Sequence, residues 1–319
     1  MTSEASAIAA PSGAVRRAVV VLNARAGSKL GLPTNVDIDA AGISALFDVV
    51  GIDADVHATA TEDEAVEVVR QAAALGTDGP IVAAGGDGTL RVVARTLLDV
   101  SGGDAAAVPP LGILPLGSVM NVARSLDLPR EPEPAAQVIA GGHIRTIDVG
   151  EIVGWGTFFE GVEVGLHAEL FAAGAAVDEG DPAASLRAMR LAIRYRPSRL
   201  TLRLDEGRTV RTRALVTSVS NGPFAGMGFT VAPEARLDDG VFDVRVFERF
   251  SRWELLRHFV SIAAGHHRYE PRAQTLRSAT VRMDSARPLR VRADGEEAGT
   301  TPIEVRVRPR ALRVIAPAR

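Results

Sequence analysis

Two patterns of apolar and polar residues divide the chain into a first half that alternates strands with helices and a second half rich in strands. In the first half, strands are predicted at 18–22, 53–58, 81–84 and 108–114. Apolar residues at helical spacing occur within 36–50, at 62–75, at 90–98 and at 119–126. Strand and helix thus alternate four times, which predicts an α/β domain with a parallel, doubly wound sheet.

From about Ile147 the pattern predicts an antiparallel, β-sandwich-like domain, because short alternating strands follow one another between turns rich in Gly, Asn and Asp. The predicted strands are 147–152, 157–162, 200–204, 211–220, 241–247, 279–283, 289–293 and 303–307. Helices are predicted near 183–195 and 251–264, the second opening with a Ser-x-x-Glu capping box at Ser251. The proline-rich segment Glu131-Pro-Glu-Pro134 is the change of composition that separates the two halves.

The third predicted strand runs into Gly85-Gly86-Asp87-Gly88-Thr89, and a helix is predicted directly afterwards. Glycines let the backbone turn sharply and approach a ligand, and the helix aims unpaired N–H groups at the turn, an arrangement that suits phosphate. It is not the usual Gly-Lys-Ser/Thr phosphate loop, since Lys29 is the single lysine of the chain. Asp87 is expected to accept hydrogen bonds or to act through a divalent cation. A tight turn with Asp87 as a helix cap is the structural alternative.

Composition narrows the classes of function. The chain has 319 residues, is 46% hydrophobic and carries a formal net charge of −3, which argues against a general nucleic-acid binder. It has no cysteine, which excludes disulfides and thiolate metal sites, and its six histidines show no metal-ligand spacing. We expect a cytoplasmic protein, because no apolar stretch reaches the roughly 18 to 20 residues that span a bilayer.

Four ordered motifs together resemble the diacylglycerol kinase catalytic-domain family, which also holds sphingosine and ceramide kinases. They are the glycine turn at 85–89, Gly117-Ser-Val-Met-Asn-Val-Ala-Arg124, Ala235-Arg-Leu-Asp-Asp-Gly-Val-Phe-Asp243 and Asp294-Gly-Glu296. The resemblance covers about residues 15 to 317. It implies a nucleotide-binding α/β domain at 15–146, onto which 308–319 is expected to pack back, and a β-rich lipid-substrate domain at 147–307. Residues 1–14 are expected to be a disordered leader.

The resemblance implies a lipid kinase with ATP between the two domains, and it assigns roles to particular residues. Those implied to contact the nucleotide are Asn23, Gly27, Ser28, Thr59, Gly85, Gly86, Asp87, Gly88, Thr89 and Ser118. Asp239, with the backbone carbonyls of Arg236 and Val241, matches a structural magnesium loop, and a second Mg²⁺ role is to bridge the phosphates. Asp294 and Glu296 match the catalytic acidic segment, with Glu296 favoured as the base; an ordinary Asp-Gly hairpin turn is the alternative.

The chain departs from the family pattern at several of these motifs. Arg91-Val92 stands where the family favours Asn-Glu, Met120 lies within the second motif, and Glu160 stands where an asparagine is common. Ser118 replaces a threonine and keeps the hydroxyl group. These departures leave two alternatives open: a nucleotide- or lipid-binding protein of the same fold with weak or no kinase activity, and an enzyme resembling NAD kinase.

Residues 187–213 hold nine arginines against Asp205 and Glu206. A solvated polar face is one interpretation, and docking on anionic lipid headgroups at a membrane surface is the other. The expected partners are therefore a lipid substrate and an anionic membrane surface, with peripheral attachment and without nucleic acid. The oligomeric state is open, with a homodimer among the alternatives.

Overall fold

The computed structural model describes residues 15–23, 38–169, 190–191, 194–226, 228–248 and 273–318. Its first half alternates strands and helices. They are β1 (Arg17–Asn23), α1 (Ala40–Val49), β2 (Asp53–Thr59), α2 (Glu62–Leu75), β3 (Ile81–Gly85), α3 (Asp87–Val100), β4 (Leu111–Pro115), α4 (Asn121–Ser125) and α5 (Pro132–Gly141). The four strands are parallel in the order β2-β1-β3-β4, which confirms the predicted doubly wound sheet.

Helices cover both faces of this parallel sheet. Successive side chains of a strand point to opposite faces, so neighbouring residues pack against different helices. On one face, Val21 packs in a core with Val69 of α2 and Leu97 of α3. On the other face, its neighbour Val20 packs with Phe47 of α1 and Ile139 of α5. Burial on both sides explains why β1, β3 and β4 appear in the sequence as apolar runs, whereas β2 at the edge of the sheet is largely exposed or half-buried.

The described residues of the second half form mostly strands. They are β5 (Ile144–Ile152), β6 (Gly156–Phe158), β7 (Gly161–Gly165), β8 (Ser198–Leu204), β9 (Thr209–Ala214), β10 (Val216–Ser220), β11 (Phe224–Ala225), β12 (Phe229–Thr230), β13 (Phe242–Phe247), β14 (Gln274–Ser278), β15 (Thr280–Ser285), β16 (Arg290–Ala293), β17 (Glu296–Thr300) and β18 (Ile303–Ile315). β14-β13-β10-β7-β16-β17 form an antiparallel sheet. The first sheet continues from β4 through β18, β15 and β8 to β9. A shared core that includes Phe158, Val244 and Met283 lies between the two sheets, confirming the predicted antiparallel domain.

β18 is the strand that joins the halves. Its first part is antiparallel to β15, and Val314 near its end pairs in parallel with Leu111 of β4. β5 runs antiparallel along nearly the whole of β18. The chain end thus returns to the first half, and one ten-stranded sheet runs through both.

Some predicted boundaries were wrong. The segment 211–220 is two strands in different sheets, β9 and β10, with the change at Leu215. Burial alternates along β9, whereas every residue of β10 is buried, so the two pieces face different surroundings. Pro132 is no linker residue: it opens α5, where its missing N–H costs nothing. The strand predicted at 303–307 continues to Ile315.

Other predictions fall on parts of the chain outside the described residues. They are the leader 1–14, the helix at 251–264 and most of the helix at 183–195, of which Arg190, Leu191 and Arg194 are described and helical. Among the residues that are described, no helix has the length and apolar character needed to cross a bilayer.

Candidate functional site

The described residues that are predicted to contact the nucleotide lie at or just after the carboxyl ends of neighbouring parallel strands, the edge where ligands of such sheets bind. Asn23 ends β1, and its side-chain amide donates to Thr89 Oγ1 at 3.2 Å. Thr59 ends β2, and its hydroxyl donates to the Leu22 carbonyl at 3.3 Å. The structure therefore brings Asn23, Thr59 and Thr89 to one edge. Gly27 and Ser28 lie outside the described residues.

The turn between β3 and α3 needs its glycines for different reasons. A Cβ on Gly85 would lie 2.4 Å from Thr89 Oγ1, so the side chain of Thr89 occupies that space. Gly86 and Gly117 meet backbone to backbone, and a Cβ on Gly117 would lie 2.6 Å from Gly86 Cα. This contact joins the turn to the loop after β4, which contains Ser118. A Cβ on Gly88 would meet no atom within 4 Å and would point into open space.

Asp87 ties the glycine turn to the second loop. Its carboxylate accepts hydrogen bonds from the N–H groups of Met120 at 2.9 Å and Asn121 at 3.0 Å. It therefore caps α4 and not the helix that it opens, while Met120 adopts a left-handed conformation with φ 54°. Burial raises the pKa of Asp87 above its ordinary value, and the two N–H groups and the charge of Arg91 oppose that rise.

Asp294 and Gly295 form the tight turn between β16 and β17, with φ of 47° and 79°. The Asp294 carboxylate accepts from the N–H groups of Phe159 at 2.7 Å, Glu160 at 2.8 Å and Gly161 at 3.2 Å. Burial raises the pKa of Asp294, and these three donors oppose the rise. Asp294 thus fixes the hairpin against the segment that leads into β7.

Glu160 links the two halves of the molecule. Its side chain is buried and accepts a hydrogen bond from Asn121 Nδ2 at 2.8 Å; the same amide group donates to the Gly226 carbonyl at 2.9 Å. Burial, followed by the charges of Asp294 and Asp87, raises the pKa of Glu160 well above 4.5. Asp87, Asn121, Glu160 and Asp294 therefore form a continuous polar chain from the glycine turn to the hairpin.

Glu296 also contacts the first half, through two arginines one helical turn apart on α3. Its Oε1 lies 2.8 Å from Arg91 Nη2, and its Oε2 lies 3.0 Å from Arg95 Nη1. Arg95 in addition donates to the Thr157 carbonyl at 2.7 and 3.1 Å and lies over the Trp155 ring. We call the contacts between the two halves the junction: Arg91 and Arg95 with Glu296, and Asn121 with Glu160. The Glu296 side chain is 36% exposed there.

In the predicted magnesium loop, an arginine from a neighbouring strand pairs with the acidic residue. Asp239 pairs with Arg277 of β14, and its other oxygen accepts from the Val241 N–H at 3.4 Å. The Arg236 side chain pairs with Asp238 at 3.2 Å. In the described ranges, no group of three or more His, Cys, Asp or Glu side chains could hold a metal ion. The metal role of Asp239, Arg236 and Val241 therefore stays a prediction, one in which a cation would compete with Arg277.

Sequence reasoning did not assign a role to four residues of the junction. Arg91 and Glu160 were noted only as departures from the family pattern, and Arg95 was not singled out. A signal was present for the arginines, since Arg91 and Arg95 are spaced to share one helix face just after the glycine turn. Asn121 lay inside a quoted motif, but its contact with Glu160 depends on how the halves are packed.

Profiles of two known families match consecutive parts of the chain. The diacylglycerol kinase catalytic domain matches residues 17–152, and the YegS C-terminal NAD kinase beta sandwich-like domain matches residues 165–316. The boundary between the two matches falls close to β6 and β7, where the sandwich begins. Together they span both halves of the fold.

Individual relatives extend over most of the chain. A diacylglycerol kinase of Mycobacterium tuberculosis is 31% identical over 266 residues, covering 80% of this chain and 82% of that protein. A probable YegS-like lipid kinase of Pseudomonas aeruginosa is 30% identical over 274 residues, covering 82% and 84%. A solved structure of a diacylglycerol kinase from Bacillus anthracis superposes with a TM-score of 0.68 at 17% identity, covering 95% of this chain and 97% of that one. At that identity the superposition shows a shared fold.

Proposed function

The chain belongs to the diacylglycerol kinase catalytic-domain family, and on that premise we propose that it is an ATP-dependent lipid kinase that phosphorylates a lipid hydroxyl. Diacylglycerol or a related lipid is the proposed acceptor, and ATP the donor, bound between the two halves. One observation carries the proposal: the two arginines of α3, the helix that follows the glycine turn, reach across to the carboxylate of Glu296. An acidic side chain of the second half is therefore held against the helix that follows the proposed phosphate-binding turn.

The glycine turn fits a phosphate chain. Gly88 leaves open the space that a side chain would fill, and the first N–H groups of α3, which begins at Asp87, have no acceptors within the helix. We assign Gly85, Gly86 and Gly88 to the phosphates, with Asn23, Thr59, Thr89 and Ser118 along the same edge. Asp87 acts here by holding the second loop in place, as its two backbone hydrogen bonds support. Mg²⁺ would neutralise phosphate charge when bound with the nucleotide.

Of the two acidic residues in the Asp294-Gly-Glu296 segment, Glu296 is the better candidate for the base. Both oxygens of Asp294 accept backbone hydrogen bonds in a buried turn, which suits a positioning residue. Glu296 is partly exposed and faces α3. In the transfer, the lipid hydroxyl oxygen forms a bond to the γ-phosphorus and the bond from phosphorus to the β,γ-bridging oxygen breaks, so ADP leaves with that electron pair. The hydroxyl proton passes to the Glu296 carboxylate and then to solvent.

The test is transfer of label from γ-labelled ATP, with Mg²⁺, to a dispersed lipid extract that contains diacylglycerol. We expect label in the organic phase with the wild-type protein and a loss of about 10²- to 10⁴-fold in Glu296→Gln, with ATP binding retained. Glu297→Gln is the matched control, because Glu297 is the next residue along β17 and its carboxylate pairs with Arg290 and not with an arginine of α3. A wild-type rate in Glu296→Gln removes the base assignment. ATP binding by the wild type without transfer to any lipid supports the binding-protein alternative instead.

We further propose that the β8–β9 edge of the large sheet attaches the enzyme to an anionic membrane surface. Arg199 of β8 lies opposite Arg213 of β9, and Arg211 lies two residues away on the same side. All three side chains are exposed, whereas Arg203 on β8 is paired with Asp284 at 2.9 Å. Like charges on adjacent strands repel one another, and anionic headgroups would relieve that repulsion.

Sedimentation with vesicles of neutral phosphatidylcholine, with and without anionic phosphatidylglycerol, tests this attachment. We expect binding to the anionic vesicles alone, weakened by salt and by the triple exchange of Arg199, Arg211 and Arg213 to Gln. The control exchanges three exposed arginines of the first half, Arg16, Arg17 and Arg70, with the same change in net charge. Equal binding to neutral and anionic vesicles, or equal loss in both triple variants, contradicts the proposal.

A further inference from the structure

Two arginines at the junction share one carboxylate but differ in how firmly they are held. Arg95 donates through Nε and Nη2 to the Thr157 carbonyl and through Nη1 to Glu296, and its guanidinium lies 5.2 Å from the centre of the Trp155 ring. Three of its five N–H donors are therefore committed to the second half. Arg91 contacts Glu296 through Nη2 alone. Arg95 is fixed, whereas Arg91 keeps donors that can serve another acceptor.

Arg91 also lies where charge from a phosphate chain would arrive. It follows Asp87 by four residues, so both lie on one face of α3 just after the glycine turn. Burial raises the pKa of Asp87, and the charge of Arg91 acts to lower it, as expected for neighbours on one helix face. Its side chain is 17% exposed, so its interactions are only partly screened by water.

A charge conflict at the junction calls for such a cation. The transferred phosphoryl group is negative, and the proposed base, Glu296, is a carboxylate that pairs with Arg91. The usual lysine of a phosphate loop is absent from the glycine turn. An arginine can bind phosphate oxygens through two parallel N–H bonds, which makes it well suited to this position.

We propose that Arg91 binds the transferred phosphoryl group and, in doing so, releases one oxygen of Glu296 to act as the base. This inference rests on the proposed kinase function. In the structure, Oε1 of Glu296 pairs with Arg91 and Oε2 with Arg95. When Arg91 moves to the phosphoryl oxygens, Oε1 becomes free to accept the hydroxyl proton while Arg95 keeps Oε2 in place. ATP binding therefore exposes the base only when the phosphoryl donor is present.

The inference is tested by comparing the affinities for ATP and ADP, because only ATP carries the phosphoryl group to be transferred. Calorimetric titrations use Arg91→Gln, Arg91→Lys and, as the matched control, Arg95→Gln. We expect Arg91→Gln to bind ATP about 10- to 100-fold more weakly, as for a lost hydrogen bond to a charged group, and ADP nearly as the wild type does. Arg91→Lys is expected to recover part of the ATP affinity. Arg95→Gln is expected to leave the ratio of ATP to ADP affinity unchanged.

The release of Glu296 has its own readout. Since Glu296 competes with ATP for Arg91, Glu296→Gln is expected to bind ATP about two- to fivefold more tightly than the wild type, the scale of a partly exposed ion pair. That gain is expected to disappear in the double variant Arg91→Gln, Glu296→Gln. An unchanged ATP to ADP ratio in Arg91→Gln overturns the role of Arg91, and a gain that persists in the double variant overturns the competition. A wild-type protein that binds neither nucleotide refutes the kinase proposal itself.

Discussion

Replacing Asn121 by alanine tests whether the two halves are tied through Glu160. The Asn121 side chain is 1% exposed, and its Nδ2 donates to Glu160 Oε2 at 2.8 Å and to the Gly226 carbonyl at 2.9 Å. Two neutral hydrogen bonds contribute about 2 kcal/mol together, and a bond to an ionised carboxylate contributes roughly 1.5–3 kcal/mol by itself. Asn121→Ala should therefore lower the free energy of unfolding by about 2 kcal/mol when Glu160 is neutral and by about 3 kcal/mol when it is ionised.

The dependence on pH follows from the raised pKa of Glu160. A carboxyl group whose pKa is raised above 4.5 in the folded state contributes stability below about pH 4.5 and loses that contribution as the pH rises through the folded value. The Asn121 hydrogen bond opposes the rise, so its removal raises the pKa of Glu160 further. The deficit of Asn121→Ala is therefore expected to grow with pH.

Asn221 provides a closely matched control. It is equally buried, and its Nδ2 also donates two hydrogen bonds, but both go to backbone carbonyls, of Asp148 and Phe159, at 3.0 Å. Urea unfolding of both alanine variants and the wild type at pH 5.5 and 8.5 gives the comparison. We expect about 2 kcal/mol at both pH values for Asn221→Ala and a deficit that increases with pH for Asn121→Ala. Equal deficits for the two variants at both pH values would refute the reasoning.

The remaining predictions concern two ion pairs away from the junction. Burial lowers the pKa of His167, but the charge and hydrogen bond of Glu163 raise this pKa above 6.5 overall. The protonated pair therefore contributes stability below about pH 6.5, and this contribution is lost as the pH rises through the pKa of the folded state. His167→Gln should flatten the fall in unfolding temperature between pH 6 and 9; parallel curves contradict this. At the predicted magnesium loop, Arg277→Gln should increase the rise in unfolding temperature on adding Mg²⁺, and Asp239→Asn should abolish it. Identical responses in both variants and the wild type count against a cation at Asp239.

The sequence was informative where structure is set locally. The apolar run at 81–84, the glycines and the helical spacing after Thr89 predicted β3, the turn and α3, because each depends on residues close in the chain. The four parallel strands followed from the same alternation. The sequence also predicted that Asn23, Thr59 and Thr89 lie at one edge of the sheet, because the carboxyl ends of parallel strands lie on the same side.

Contacts between the halves could not be predicted in this way. Arg95 and Glu296 are 201 positions apart, and their ion pair depends on how β18 returns the chain to the first sheet. Asp87 is a helix cap, as the structural alternative supposed, but the helix is α4, which begins in the next loop. Pro132 illustrates the opposite case, since proline is compatible both with a linker and with the first turn of a helix.

The central claim, that the glycine turn binds the phosphates of ATP, is tested most directly at Gly88. A Cβ there meets no protein atom within 4 Å, and alanine favours a helix over glycine by about 1 kcal/mol, so Gly88→Ala should fold at least as stably as the wild type. Gly141 at the end of α5 is the control, since its Cβ would also point into open space. The measurement is ATP affinity by calorimetry alongside the free energy of unfolding. We predict that Gly88→Ala binds ATP at least tenfold more weakly, a loss of roughly 1.4 kcal/mol or more in binding free energy, without losing stability. Gly141→Ala is predicted to keep both its ATP affinity and its stability. Wild-type ATP affinity in Gly88→Ala would contradict the account.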